Sequence, residues 1–185
     1  MDNSRLFCPK CGRELARRLG SWYECINEHC HYRLSETDTI DISFNSKGIS
    51  KALSNLCSYP FVIDGVHCAS MESFIQSLKV EDLKLQEDIC SKPGAFISNI
   101  KTIFDDWRIS QTVHWKGKEI GRHSNEYMNL LKRAYRSLYE QSNLFKYALE
   151  KTKGYRLIHS IGCNDDTETL LTPHEFVNLL NMLRE

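Results

Sequence analysis

Apolar residues recur at helical spacing in several stretches of the chain. Met71, Phe74, Ile75 and Leu78 form one such face, and Tyr127, Leu130, Leu131, Ala134, Tyr135 and Leu138 form a longer one. Leu144, Phe145, Ala148 and Leu149 repeat the pattern before Gly154, and Phe176, Val177, Leu179, Leu180 and Leu183 close the chain. The spacing predicts helices there, with Ser124 as an N-cap and Thr172-Pro173-His174-Glu175 combining a cap, a first-turn proline and a capping-box glutamate. Another short helix is expected around Ile100, Ile103, Phe104 and Trp107. Between Ile49 and Asn55, and from Tyr59 to His67, the pattern reads as short extended pieces, the second turning at Asp64-Gly65. Lys92-Pro93-Gly94 interrupts the charged segment that follows the Met71 helix. Long helices with a few short strands make an α+β, mainly helical, domain.

The polar positions of the Met71 helix add a question about chemistry. At about 100° per residue, Glu72, Gln76 and Lys79 fall on one narrow stripe, the apolar residues on a second face and the serines on a third. Taken alone, an acid, an amide and an amine in line read as a solvated helix face.

Composition narrows the setting. The chain has 185 residues, 41% of them hydrophobic, enough for one substantial core and a small appendage. Lys plus Arg equals Asp plus Glu at 24 each, so contact with nucleic acid would have to come from a local basic patch. No signal-peptide pattern opens the sequence, and no run approaches the roughly 20 apolar residues of a membrane span. A cytoplasmic, monomeric protein is expected.

Four of the eight cysteines lie in the first thirty residues, as Cys8-Pro-Lys-Cys11 and Cys25-Ile-Asn-Glu-His-Cys30. Two close thiol pairs meeting around one tetrahedral ion give a zinc ribbon over residues 1–36, its structural Zn2+ held by Cys8, Cys11, Cys25 and Cys30. Four thiolates leave no open coordination position, which favours a stabilising clip over a catalytic metal. His29 and His31 flank the last cysteine as alternative ligands. Cys57, Cys68, Cys90 and Cys163 have no metal spacing and read as buried free thiols. Ser35-Glu-Thr-Asp-Thr39 reads as a linker to a second domain, 41–185.

Leu53-Ser-Asn-Leu-Cys-Ser-Tyr-Pro-Phe-Val-Ile-Asp-Gly65, followed by Ser70-Met-Glu-Ser-Phe-Ile-Gln-Ser-Leu-Lys79, resembles the opening signature of the NADAR (YbiA-like) family. Trp115-Lys-Gly-Lys-Glu-Ile-Gly-Arg-His-Ser124, the helix from Ala134, and Leu157-Ile-His-Ser-Ile-Gly162 before Leu171-Thr-Pro-His-Glu-Phe176 are similar to its later blocks. Ser73 stands where the family commonly has histidine, Ile75 where it has an aromatic residue, and Leu56 where it has phenylalanine.

The resemblance implies a compact N-glycosidase fold and a reaction at a ribose-to-nitrogen bond. One branch of the family cleaves phosphorylated ribosylamino intermediates of riboflavin synthesis; another removes ADP-ribose from modified guanine in nucleic acid. It casts Glu72 and Lys79 as catalytic and Asn55, Gln76, Trp115, Arg122 and His159 as substrate contacts. Glu72 can deliver a proton or stabilise an oxocarbenium-like state, and Lys79 can pair with an anion or attack an opened sugar. Trp115 reads equally as core or as a base-stacking platform, Arg122 as a phosphate fork or an ion pair, and His159 as a core histidine or a pocket residue. Arg13, Arg17 and Arg18 with Trp22 and Tyr23 give the ribbon charge and stacking surface, which favours ADP-ribosylated nucleic acid, DNA over RNA, as the partner. The competing class is a module that binds ADP-ribose or a modified base without cutting it.

Overall fold

A computed structural model describes residues 8, 11–18, 22–35, 38–97 and 106–185. The chain divides into two compact units, Met1–Ile40 with Gly154–Arg156, and Asp41–Lys153 with Leu157–Glu185. Strands β4 (Thr39–Asp41) and β9 (Arg156–Ile158) each straddle a boundary between them.

The first unit is a three-stranded antiparallel sheet, β1 (Leu15–Arg18), β2 (Trp22–Cys25) and β3 (Arg33–Ser35), in that order. The register sets Leu15 opposite Cys25 and Arg17 opposite Tyr23. Leu15, Cys25 and Cys8 form a small buried cluster against which Tyr23, Cys30 and Tyr32 pack.

In the second unit the amphipathic segments fold as their spacing predicts. Helix α6 (Asn125–Gln141) begins at Ser124, whose hydroxyl accepts the Tyr127 N–H, and buries the six residues of its apolar face. It ends at Ser142, which both closes α6 on the Leu138 carbonyl and caps α7 (Asn143–Glu150). Helix α8 (Pro173–Arg184) carries a complete capping box between Thr172 and Glu175. Helix α6 packs on α7, α8 and the hairpin strand β5 (Phe61–Ile63). That strand pairs with β6 (Val66–Cys68) through a turn at Asp64-Gly65, both in left-handed conformations. A second hairpin joins β7 (Thr112–Trp115) to β8 (Lys118–Gly121).

Two expectations need correction. Ile49–Asn55 is not extended: Gly48–Ala52 forms the short helix α1. Gly48 sits at φ +59°, turning the chain ahead of Ile49, and the Leu53 N–H closes back on Ile49 O at 3.2 Å. The completely buried Leu53 anchors that turn. The free thiols also differ from expectation, since Cys68 and Cys90 are buried but Cys57 is half-buried and Cys163 exposed. Trp107 opens the short helix α5 (Trp107–Ser110), whereas Ile100, Ile103 and Phe104 lie outside the described residues.

Helix α2 (Met71–Ser77) is held on both sides. Ser70 caps it by accepting the Ser73 N–H at 3.1 Å, and the Ser73 hydroxyl donates to the Lys92 carbonyl. Helices α3 (Leu83–Ser91) and α4 (Gly94–Ile97) pack against this serine face. A Cβ at Gly94 would lie 2.7 Å from Ser70 Oγ and 3.0 Å from Leu56 Cα, so only glycine allows that approach. On its other face Phe74 meets Phe61 and Trp115 edge-on, at centroid distances of 6.3 and 5.1 Å.

Candidate active site

With the serines and the apolar residues of α2 both buried, one stripe is left open. From Met71 to Val80, Glu72, Gln76 and Lys79 are the positions that retain partial exposure. All three line a cleft of about 350 Å3 together with Asn55, Ile75, Trp107, His159 and Phe176. Lys79 lies just past the helix, in a final turn that closes from its own N–H to Gln76 O at 3.3 Å.

Hydrogen bonds fix how these side chains face the cleft. Gln76 Nε2 donates to Glu72 Oε1 at 3.0 Å, which orients the carboxylate and leaves the amide oxygen as the group Gln76 has to offer. The Tyr135 hydroxyl donates to Asn55 Oδ1 at 2.8 Å, turning the Asn55 amide so that its N–H groups are available. Burial pushes the Tyr135 phenol well above its usual range, so it stays a donor. The Asn55 carbonyl also accepts the Glu72 N–H at 3.0 Å, tying the loop to the first turn of α2. His159 Nδ1 lies 2.6 Å from the Ile42 carbonyl, an acceptor only, so this nitrogen carries a proton and Nε2 is the acceptor of the neutral ring. The His159 ring meets Phe176 edge-on at 5.2 Å. Nearby, Ser160 holds Asp41 through its N–H at 3.0 Å and its hydroxyl at 2.5 Å.

The segment 161–171 supplies more of the wall, contributing Ile161, Gly162, Cys163 and Glu168 to Leu171. Four successive carbonyls of this segment each accept from a different side chain. Gln111 Nε2 reaches Thr167 O at 3.0 Å, Arg108 Nε reaches Glu168 O at 3.2 Å, Arg122 Nε reaches Thr169 O at 3.1 Å, and the Tyr127 hydroxyl bonds Leu170 O.

Of the seven side chains expected to catalyse or bind, the cleft gathers Asn55, Glu72, Gln76, Lys79 and His159. Trp115 and Arg122 do not line it. Trp115 is 4% exposed, and its indole N–H bonds Asp64 Oδ2 at 2.8 Å, so it is a core residue that braces the first hairpin rather than a stacking platform. Arg122 is 2% exposed and forms a two-pronged pair with Glu175 at 3.0 and 2.7 Å, which uses the fork that a phosphate would need. Its effect on the cleft is indirect, through Thr169. Ser73 is fully buried on the serine face and does not line the cleft, whereas Ile75, the other departure on this helix, does. The sequence marks Trp107 only as part of a short helix, and Ile161, Gly162 and Leu171 only as members of family-like blocks; nothing in it marks Arg108, Cys163 or Glu168 to Leu170 as cleft lining.

In the first unit the sulfurs of Cys8, Cys11, Cys25 and Cys30 all lie within 4.8 Å of one another. A tetrahedral ion with sulfur bonds of about 2.3 Å sets its ligands about 3.8 Å apart, so the four fit one metal ion. The Cys8 knuckle is closed by the Gly12 N–H on Cys8 O at 2.8 Å, with Gly12 at φ +71°. His29 and His31 are not part of the cluster. Of the expected basic footprint, Arg13 and Arg18 are exposed, but Arg18 shares Glu24 with Arg33 at 3.2 and 3.0 Å. Tyr23 packs on the cysteine cluster, and the side chains of Arg17 and Trp22 lie outside the described residues.

The fold is YbiA-like, as the resemblance to the NADAR family implied, and the first unit has four cysteines placed to hold one metal ion. An NMR structure of the E. coli protein YbiA matches with a TM-score of 0.52, covering 80% of this chain and 83% of that one at 18% identity, a likeness of fold. The chain belongs to the family described as bacteriophage protein GP30.3, whose profile matches residues 47–185. An uncharacterized 17.1 kDa protein from the Gp30-rIII intergenic region of Enterobacteria phage T4 is 33% identical over 148 residues, 79% of this chain and 97% of that protein. The four clustered cysteines precede the residues matched by the family. No helix among the described residues is long and apolar enough to cross a membrane.

Proposed function

We propose that the chain is an N-glycosidase that removes ADP-ribose from modified guanine in nucleic acid, DNA before RNA, in the cytoplasm. The observation that supports it most is the stripe: an acid, an amide and an amine are the open positions of an otherwise buried segment, and they open into a cleft shared with Asn55 and His159. Cleavage of an N-glycoside develops positive charge on the sugar, which the Glu72 carboxylate stabilises, or transfers a proton to the departing base, which the protonated carboxyl supplies. Gln76 holds Glu72 in one orientation. Lys79 offers an ammonium for an anionic group of the substrate or, deprotonated, an amine for the opened sugar. The metal at the four cysteines is read as Zn2+, whose closed thiolate site supplies folding free energy rather than chemistry.

Mass spectrometry of a guanine-ADP-ribosylated oligonucleotide incubated with the protein tests the reading. Loss of the ADP-ribosyl mass with return of unmodified base is the expected result. No loss, together with turnover of a phosphorylated ribosylamino intermediate of riboflavin synthesis, would assign the other branch; tight binding without cleavage of either would make the chain a recognition module.

A further inference from the structure

Among the described residues, three buried side-chain polar atoms have no hydrogen-bond partner: Gln76 Oε1, Trp107 Nε1 and Asn181 Oδ1. A buried donor or acceptor left unpaired costs free energy, so native structures keep few of them, and each asks for an explanation. Two of the three belong to residues that line the same cleft, one from α2 and one from α5. They are complementary in kind. Gln76 has committed its amide nitrogen to Glu72, so it presents an acceptor; reversing the amide would set its oxygen against the carboxylate. The indole of Trp107 is a donor only. Trp107 is 3% exposed, and its ring is braced by the Arg108 guanidinium 5.6 Å from the centroid, itself tied to Glu168 at 3.2 Å.

We propose that Trp107 is a ligand-binding residue of the cleft, its indole N–H and Gln76 Oε1 together receiving the hydroxyls of a five-carbon sugar. A hydroxyl accepts from the indole and donates to the amide oxygen, whereas a phosphate or carboxylate oxygen has no hydrogen for Gln76. The two atoms therefore select the uncharged, hydroxylated part of a substrate. This deepens the glycosidase reading and rests on it for the identity of the sugar.

The test is a titration of the full-length, metal-loaded protein with ADP-ribose, and separately with ribose 5-phosphate and 2-deoxyribose 5-phosphate, following the indole N–H resonances. The chain has three tryptophans, and Trp115, already bonded to Asp64, serves as the internal control. The expected result is a downfield shift of the Trp107 indole proton with ADP-ribose and ribose 5-phosphate, a smaller one with the deoxy sugar, and a still Trp115. Trp107→Phe should weaken ADP-ribose binding roughly 5-fold, the worth of one buried hydrogen bond. A Trp107 resonance that does not move while other cleft resonances do, or a Trp107→Phe protein that binds as tightly as the parent, overturns the proposal. Because the titration reads the unmutated protein, a variant that fails to fold does not decide it. Absence of binding by all three probes overturns it as well. Sugar-dependent shifts at Trp107 without cleavage of any oligonucleotide would leave this assignment standing and remove the glycosidase.

Discussion

Glu72 concentrates the residue-scale chemistry, because Glu72→Gln keeps shape and hydrogen bonding but removes both the charge and the titrating proton. Turnover should fall by about a hundredfold or more with the thermal midpoint nearly unchanged, read by steady-state kinetics beside a melting curve. Lys79→Ala should be similarly severe, and borohydride added during turnover separates its roles. A trapped sugar adduct on Lys79 marks an amine nucleophile; loss of activity in Lys79→Ala without an adduct marks an ion-pairing cation. At this scale the sequence was informative wherever helical geometry alone sets direction, as it does for Glu72, Gln76 and Lys79. It was silent on partners brought from afar. Trp115 and Arg122 sit in motifs that point to a site, yet Asp64, 51 residues away, and Glu175, 53 residues away, take their polar groups. Nothing local to either residue announces that.

Caps and ion pairs decide behaviour at the scale of elements. Burial alone would raise the Glu175 carboxyl, but the Arg122 guanidinium and the Thr172 N–H outweigh it and hold its pKa below the ordinary 4.5. A lowered folded-state value means that the stabilisation is fully present above the ordinary carboxyl range and is lost as pH falls through the lowered value. Urea midpoints of the parent should therefore drop on going from about pH 6 to about pH 3.5 by more than those of Glu175→Gln. Arg122→Ala leaves a largely buried carboxylate unpaired and should cost about 3 kcal/mol at neutral pH, against about 1 kcal/mol for Thr172→Ala, which removes only the cap. The capping box of α8 and the Ser124 cap of α6 were legible because their signals are short-range. Helix α1 was not, since five residues are too few to show a period and a left-handed glycine and a distant core decided the outcome.

The whole molecule joins two units with different sources of stability. Among the described residues the first unit has a buried cluster of Cys8, Leu15 and Cys25, and a metal ion at its four cysteines is expected to supply its order; the second has the large apolar core. Stripping the metal with a chelator, which leaves the cleft thiol of Cys163 unmodified, should abolish the near-ultraviolet signal of the first unit while leaving the main unfolding transition in place. Such protein should still cleave a small ADP-ribosyl-nucleoside but act more weakly on a long oligonucleotide, with the difference between metal-loaded and stripped protein shrinking as salt rises. The return of Gly154–Arg156 to the first unit has no sequence mark. The four carbonyls of Thr167 to Leu170, each already held by a side chain, bear on the thermodynamics of occupation. The disorder that a loop would surrender on closing over a guest has here been surrendered at folding. Calorimetry with ADP-ribose should accordingly show little entropic penalty from that wall.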